Sequence, residues 1–175
     1  MRPLIGVVLE LIALAVVVYV AAVLSSWYPL SILVLLVAQV LTTVLIHCPA
    51  HYIVGRSLGI RFSRIGLGRS TFVQALPQSL KRFGSLFVIF TISVAPESKK
   101  RASQGRMRAM FLAGVTGSVG SAVTFAYAVS LMGNLVTGLV TWAFAIAYLA
   151  SDVLFSPKAG DMMRARAAMS RSPRG

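Results

Sequence analysis

The sequence PLSILVLLVAQVLTTVLIHCPAHYIVG occupies residues 29–55 and contains no Lys, Arg, Asp or Glu. A helix needs about 20 predominantly apolar residues to cross the roughly 30 Å hydrocarbon core of a bilayer. We therefore interpret this stretch as a membrane-spanning helix. Three more segments of the same character, residues 3–24, 109–131 and 135–155, predict three further spans.

The charges of the chain are separated from these apolar segments. The sequence is 57% hydrophobic with a mean hydropathy of +0.83, yet it carries 17 Lys+Arg against 4 Asp+Glu. Lys and Arg collect on the cytoplasmic side of membrane proteins, and with Arg2 placed there every basic residue falls on that side. The pattern predicts a multi-pass integral membrane protein, surrounded by lipid, with cytoplasmic N and C termini. Nucleic-acid binding is not expected, because no interleaved aromatic stripe accompanies the charge.

The predicted fold is an all-α polytopic membrane protein forming a single domain over residues 1–175. Between spans two and three, residues 56–108 form a cytoplasmic segment with two predicted strands, Ile60–Gly68 and Leu86–Val94, because the second is apolar, β-branched and too short to span. Together they predict a short membrane-associated β element. The part of this segment from Ala95 to Arg108 is expected to be an exposed loop. Residues 156–175 form a basic tail, expected to be mobile from Arg164 onward.

The only two histidines of the chain, His47 and His51, lie four residues apart near one end of span two. On an α-helix this spacing places both imidazole rings on one face, about one turn apart, where they can ligate one metal ion. Histidine is costly inside a bilayer and usually faces the interior of a helix bundle. The pair therefore predicts either a zinc site or polar packing between helices.

The residues after the histidines extend the pattern: Ile46 to Gly68 reads IHCPAHYIVGRSLGIRFSRIGLG. This resembles the site-2 protease family of intramembrane zinc metalloproteases, in which an H-E-x-x-H helix leads into a Leu-Gly, a strand and an Ile-Gly-Phe-Gly-like turn. The resemblance implies a bound zinc ion and partners that are single-span membrane proteins. Ser156–Asp161 is similar to the segment that supplies the third zinc ligand of that family, which implies that Asp161 has this role.

A second aspartate competes for the position of third ligand. Asp152 lies near the cytoplasmic end of span four, at about the same depth as His51 in span two. Depth thus favours Asp152, whereas the resemblance favours Asp161. Asp161 has an alternative structural role as the cap of a helix starting at Met162. Both aspartates remain candidates together with the two histidines.

The residue at the general-base position departs from the family pattern. Where H-E-x-x-H proteases have a glutamate that takes a proton from water, this chain has Cys48, and Pro49 follows it. We expect a catalytically impaired homologue that binds transmembrane partners, with or without zinc. The sequence leaves open whether the protein is an enzyme, since an active noncanonical intramembrane metalloprotease is the alternative. A small transporter or channel component, with Glu10 in its polar path, is a third hypothesis.

Overall fold

The computed structural model describes residues 2–24, 31–69, 88–132, 134–159 and 161–170. Helices dominate this part of the chain, and one hairpin-like pair of strands interrupts their order. The elements are α1 (Pro3–Leu24), α2 (Ser31–Leu45), α3 (His47–Ser57), β1 (Phe62–Arg69), β2 (Val88–Val94), α4 (Pro96–Arg101), α5 (Gln104–Met132), α6 (Leu135–Ala159) and α7 (Asp161–Ser170).

Within the described residues, four helical segments are long and apolar enough to cross a membrane: α1, the continuous helix Ile32–Ser57 formed by α2 and α3, α5, and the Leu135–Leu154 part of α6. Their outward faces are covered with large apolar side chains, such as Tyr19 and Leu139, which are 71% and 61% exposed. Apolar surface of this extent is unusual on a water-soluble monomer. The prediction of four helices of membrane-spanning length is therefore confirmed.

The regular hydrogen bonding of the second of these segments is interrupted next to the histidines. The structure separates α2 from α3 at Ile46, three residues before Pro49. Proline has no N–H to offer the carbonyl of Leu45, so the regular helical ladder is broken at this point. The Ala50 N–H still donates to the Ile46 carbonyl at 3.0 Å, which keeps α3 in line with α2. His47 is consequently the first residue of α3.

The two predicted strands pair with each other in antiparallel fashion, which confirms the β element. The ladder runs from the Phe62–Val94 pair to the Arg69–Val88 pair, with a register shift between Phe62 and Arg64. Gly59, with a φ of 79°, allows the chain to leave α3 and enter β1. Residues 86 and 87 of the second predicted strand lie outside the described residues.

The sheet packs on the N-terminal end of α5, which follows the basic helix α4. Ile60, Met107 and Met110 form a buried apolar cluster there, and Phe62 and Val94 pack on it. The cluster fixes the sheet beside α3 and α5. This arrangement places the two strands next to the histidine-bearing helix.

Helix boundaries differ from the expectation on both sides of the third and fourth spans. The stretch expected to be an exposed loop contains α4, and α5 begins at Gln104 rather than at 109. The tail is also helical, since α6 continues to Ala159 and α7 extends to Ser170. The predicted ends were those of the apolar stretches, which stop at the first basic residues. A helix can continue past the end of an apolar stretch when its charges are well placed.

Small and polar side chains hold the long helices together. On α5 they include Ala122 and Ala126, which are fully buried and pack with Ala145 of α6. Gln39 of α2 reaches both helices, because its Nε2 donates to the Ala122 carbonyl and to the Thr141 carbonyl, each at 3.0 Å. Small residues permit this close approach of backbones, and the amide links three helices at one level.

Candidate metal centre

Three ligand atoms from two distant parts of the chain meet beside the start of α3. Asp161 Oδ2 lies 2.9 Å from His47 Nε2 and 2.9 Å from His51 Nε2, and the two Nε2 atoms are 3.2 Å apart. The two imidazole rings stand nearly perpendicular, at 89°. Among the described residues, these three are the histidine, cysteine, aspartate and glutamate side chains that could jointly hold a metal ion.

Helix α7 delivers the aspartate to the histidines. It folds back against α5 and α6, with Ala165 buried, and Asp161 is its first residue. A carboxylate at this end of a helix is favoured by the exposed N–H groups and the helix dipole. The second carboxylate oxygen, Oδ1, faces Nη1 of the half-exposed Arg164 at 3.3 Å, so Oδ2 alone points at the imidazoles.

Of the two aspartates considered from the sequence, the structure brings Asp161 to the histidines. Asp152 lies on α6, and it does not belong to the group whose ligand atoms converge. Similar depth to His51 did not bring Asp152 into the group, because depth along a helix does not determine which face of the helix carries the side chain. The alternative of Asp161 as the cap of a helix starting at Met162 is not what is found, because α7 begins at Asp161 itself and the carboxylate lies in its first turn.

Hydrogen bonds at the far side of each ring orient the histidines. His51 Nδ1 lies 2.7 Å from the Met110 carbonyl, which can only accept, so this nitrogen carries the proton. His47 Nδ1 lies 3.0 Å from Ser118 Oγ, and the Ser118 hydroxyl already donates to the Thr43 carbonyl at 3.0 Å. Ser118 Oγ must therefore accept from His47. With Nδ1 of each ring donating, a neutral ring presents the Nε2 lone pair to Asp161 and a protonated ring presents an Nε2–H.

Asp161 Oδ2 and the two Nε2 atoms thus face one another, in an arrangement that could hold a metal ion. A single proton can join Asp161 to only one of the two rings, and protonating both rings puts two like charges at the 3.2 Å separation of their Nε2 atoms. A metal ion satisfies all three lone pairs together. Ligands about 2.0–2.1 Å from a tetrahedral zinc ion are about 3.3 Å from each other, within a few tenths of an ångström of the distances in this centre.

Burial and charge keep the carboxyl group of Asp161 ready to bind a cation. The side chain is 10% exposed. Burial raises the pKa of this carboxyl, whereas hydrogen bonds from His47 and His51, made when a ring is protonated, lower it, and the net result is a pKa well below the usual range of an aspartate. The group is therefore a carboxylate at neutral pH and does not have to release a proton on binding metal.

Comparisons with protein-family models, curated proteins and solved structures give no match for this chain.

The face of α5 opposite the histidines was not recognised from the sequence as part of the site. Gly114 lies directly against the His51 ring, and a Cβ there would overlap the imidazole. A Cβ at Gly117 would lie only 2.7 Å from the Ala50 Cβ. Met110, Gly114 and Ser118 are four residues apart, which matches the spacing of the histidines on α3. The shared four-residue spacing is the feature of the sequence that could have indicated that these two helix faces meet.

Cys48 does not take part in the convergence, although it directly follows His47. Its thiol donates to the Phe90 carbonyl of β2 at 3.0 Å. Glu10 of α1 lies beside this thiol and is 1% exposed. The chain thus has a carboxyl group close to the position where the sequence lacks one.

The donor set determines what the centre can do. Two imidazoles and one carboxylate are a common ligand set of catalytic zinc, in which the fourth position is left for water or substrate. An ion held by these three residues would polarise a carbonyl group and make a nearby water more acidic.

Removing the hydroxyl group that orients His47 tests the role of Ser118. We expect Ser118→Ala to weaken metal binding roughly 10- to 100-fold, as losses of such outer partners generally do. Isothermal titration with zinc measures this effect. Ser121→Ala is the matched control, because the Ser121 hydroxyl donates to the Ser118 carbonyl within the same helix, and its affinity should equal that of the unmodified chain. Equal affinities for all three proteins would refute the assignment.

Proposed function

We propose that this chain is a site-2-protease-like membrane protein that holds zinc at His47, His51 and Asp161 and binds a transmembrane segment of a single-span partner there. The observation that carries the proposal is the meeting of two oriented Nε2 atoms and one carboxylate oxygen within 3.2 Å. The motif residues from Ile46 to Gly68 support the comparison with that family.

The distribution of charge supports a location near the cytoplasmic face. His51 precedes Arg56 by five residues, which is about 8 Å along a helix. The basic residues of α4, of the first turn of α5 and of α7 belong to the same cytoplasmic segments. A partner helix would therefore reach the centre from within the bilayer, close to its cytoplasmic boundary.

Cys48 supports binding with impaired hydrolysis. Its thiol is buried and donates to a backbone carbonyl, so it is not arranged to accept a proton from water. Thiols also shuttle protons poorly compared with carboxylates at this position, since a thiolate tends to ligate metal or to oxidise. The first candidate function is accordingly a metal-dependent binder of transmembrane segments.

An active noncanonical metalloprotease is the second candidate. One observation favours it, the carboxyl group of Glu10 beside Cys48. A carboxylate from another helix can serve a centre whose own motif lacks one, provided that it lies within reach of the water. The two candidates share the metal site and differ in the fate of the bound segment.

Reconstitution in liposomes with a fluorescently labelled single-span peptide tests the proposal. We expect energy transfer between labelled protein and peptide in the presence of zinc, and its loss on adding a chelator or on His47→Ala. Asp152→Asn should leave the transfer unchanged. Gel analysis of the same samples shows whether the peptide is cleaved, which separates the two candidates. Peptide binding that ignores zinc and His47, or no binding at all, would contradict the proposal.

A further inference from the structure

Glu10 is the most completely buried carboxyl group among the described residues. It is 1% exposed, although it lies on α1, whose outward face is apolar. Within the described chain, neither Oε1 nor Oε2 has a hydrogen-bond partner. The group lies beside the Cys48 thiol, and that thiol donates instead to the Phe90 carbonyl. Glu10 therefore lies against the motif helix, and in the described part of the chain its nearest potential partner is the Cys48 thiol, which is already engaged with Phe90.

A buried carboxyl group without a hydrogen-bond partner has a high energetic cost. Burying a polar group without a hydrogen bond costs several kcal/mol, and an unpaired carboxylate costs more. Charged residues within membrane segments are rare and generally face a partner, a cavity or a water path. Packing alone does not account for an acidic residue at this point, since leucine would fill similar space without the cost. A ligand or water in the centre would supply the missing partner.

The position of Glu10 along the fold agrees with the position of the centre. Glu10 lies eight residues after Arg2, and Cys48 lies eight residues before Arg56, each about 12 Å from its basic residue along a helix. Helix α1 also packs against α3, which carries the thiol, and against β1, the strand paired with β2. The carboxyl group of Glu10 and the thiol of Cys48 therefore lie at about the same distance from the basic boundary of the helices.

We infer that Glu10 supplies from α1 the proton-accepting carboxylate that the motif lacks at position 48. The inference rests on the proposed metal centre and favours its second candidate function. In this role Glu10 takes one proton from a water molecule while the water oxygen bonds to the carbonyl carbon of the scissile peptide. The same proton then passes to the amide nitrogen as the C–N bond breaks, leaving a carboxylic acid and an amine. Catalysis of this type contributes about 10²- to 10⁴-fold to a rate.

A hydroxamate tests the carboxylate without requiring turnover. Acetohydroxamate binds a divalent metal through its two oxygens and has a proton to donate to a nearby carboxylate. We expect Glu10→Gln to retain the metal and to bind acetohydroxamate at least about tenfold more weakly, the usual effect of losing a hydrogen bond to a charged group. Binding is followed by the visible spectrum of the cobalt-substituted full-length protein. Glu97→Gln, an exposed position on α4, is the matched control and should bind acetohydroxamate like the unmodified chain.

Peptide hydrolysis provides the second measurement. If the single-span peptide is cleaved, Glu10→Gln should slow cleavage about 100-fold or more, whereas Glu97→Gln should not. Unchanged acetohydroxamate affinity in a metal-loaded Glu10→Gln protein would overturn the inference and leave the metal centre standing. Loss of the metal from that variant would make Glu10 a structural residue and would also overturn it. An unmodified chain that binds no metal would overturn the proposed function together with this inference.

Discussion

Replacing Asp161 with asparagine is expected to lower the zinc affinity of the purified chain by roughly 1,000-fold, more than the 10- to 100-fold typical of losing an outer partner of a ligand. The substitution preserves the shape of the side chain and removes its negative charge. Oδ2 is the atom that approaches both Nε2 atoms at 2.9 Å, so the change acts on the centre of the cluster. Competition with a chromogenic chelator measures the affinity.

The matched control for this substitution is Asp152→Asn. Both changes remove one carboxylate from the same end of the chain, but only Asp161 has its oxygen in the cluster. We expect the Asp152 variant to bind zinc within about threefold of the unmodified protein, a difference of well under 1 kcal/mol. If the effects were reversed, Asp152 would be the ligand and the position of α7 would need another explanation.

Replacing Gly114 with alanine is expected to have the largest effect of any single methyl group added to α5. The new Cβ would overlap the imidazole of His51, whose ring is held by its hydrogen bond to the Met110 carbonyl. Relieving the overlap requires α3 and α5 to separate or the ring to leave the cluster. We expect a loss of about 3 kcal/mol of unfolding free energy, the upper part of the range for overpacked cores, together with weaker zinc binding.

Gly120 provides the comparison on the same helix. A Cβ at this position would meet no atom within 4 Å, so Gly120→Ala should be neutral or slightly stabilising. Unfolding monitored in detergent micelles by circular dichroism gives the stability of both variants, and zinc titration gives their affinities. Equal behaviour of the two alanine variants would show that α3 and α5 do not approach each other as described.

The long helices could be predicted from the sequence because a bilayer demands uninterrupted apolar stretches of a fixed length. Their ends could not. Gln104 begins α5 and Ser170 ends α7 because polar and basic residues are compatible with helix outside an apolar region. Strands β1 and β2 were predictable in type, since the first has apolar residues ending in a glycine bend and the second is apolar, β-branched and too short to span.

The site was predictable only where it depended on local spacing. His47 and His51 are one turn apart, so their common face follows from helical geometry. Asp161 was suggested only by the resemblance, because the sequence around it does not predict that α7 folds back against α5 and α6. The contacts of Ser118 and Glu10 lie far away in sequence and depend on how whole helices pack.

Zinc content of the purified, full-length chain tests the central claim most directly. The protein is produced in zinc-supplemented medium, extracted in mild detergent, passed over a chelating resin and measured by inductively coupled plasma mass spectrometry. A metal centre at His47, His51 and Asp161 predicts close to one zinc ion per chain, and almost none in His51→Ala. No zinc in the unmodified chain, or the same amount in both proteins, would contradict it.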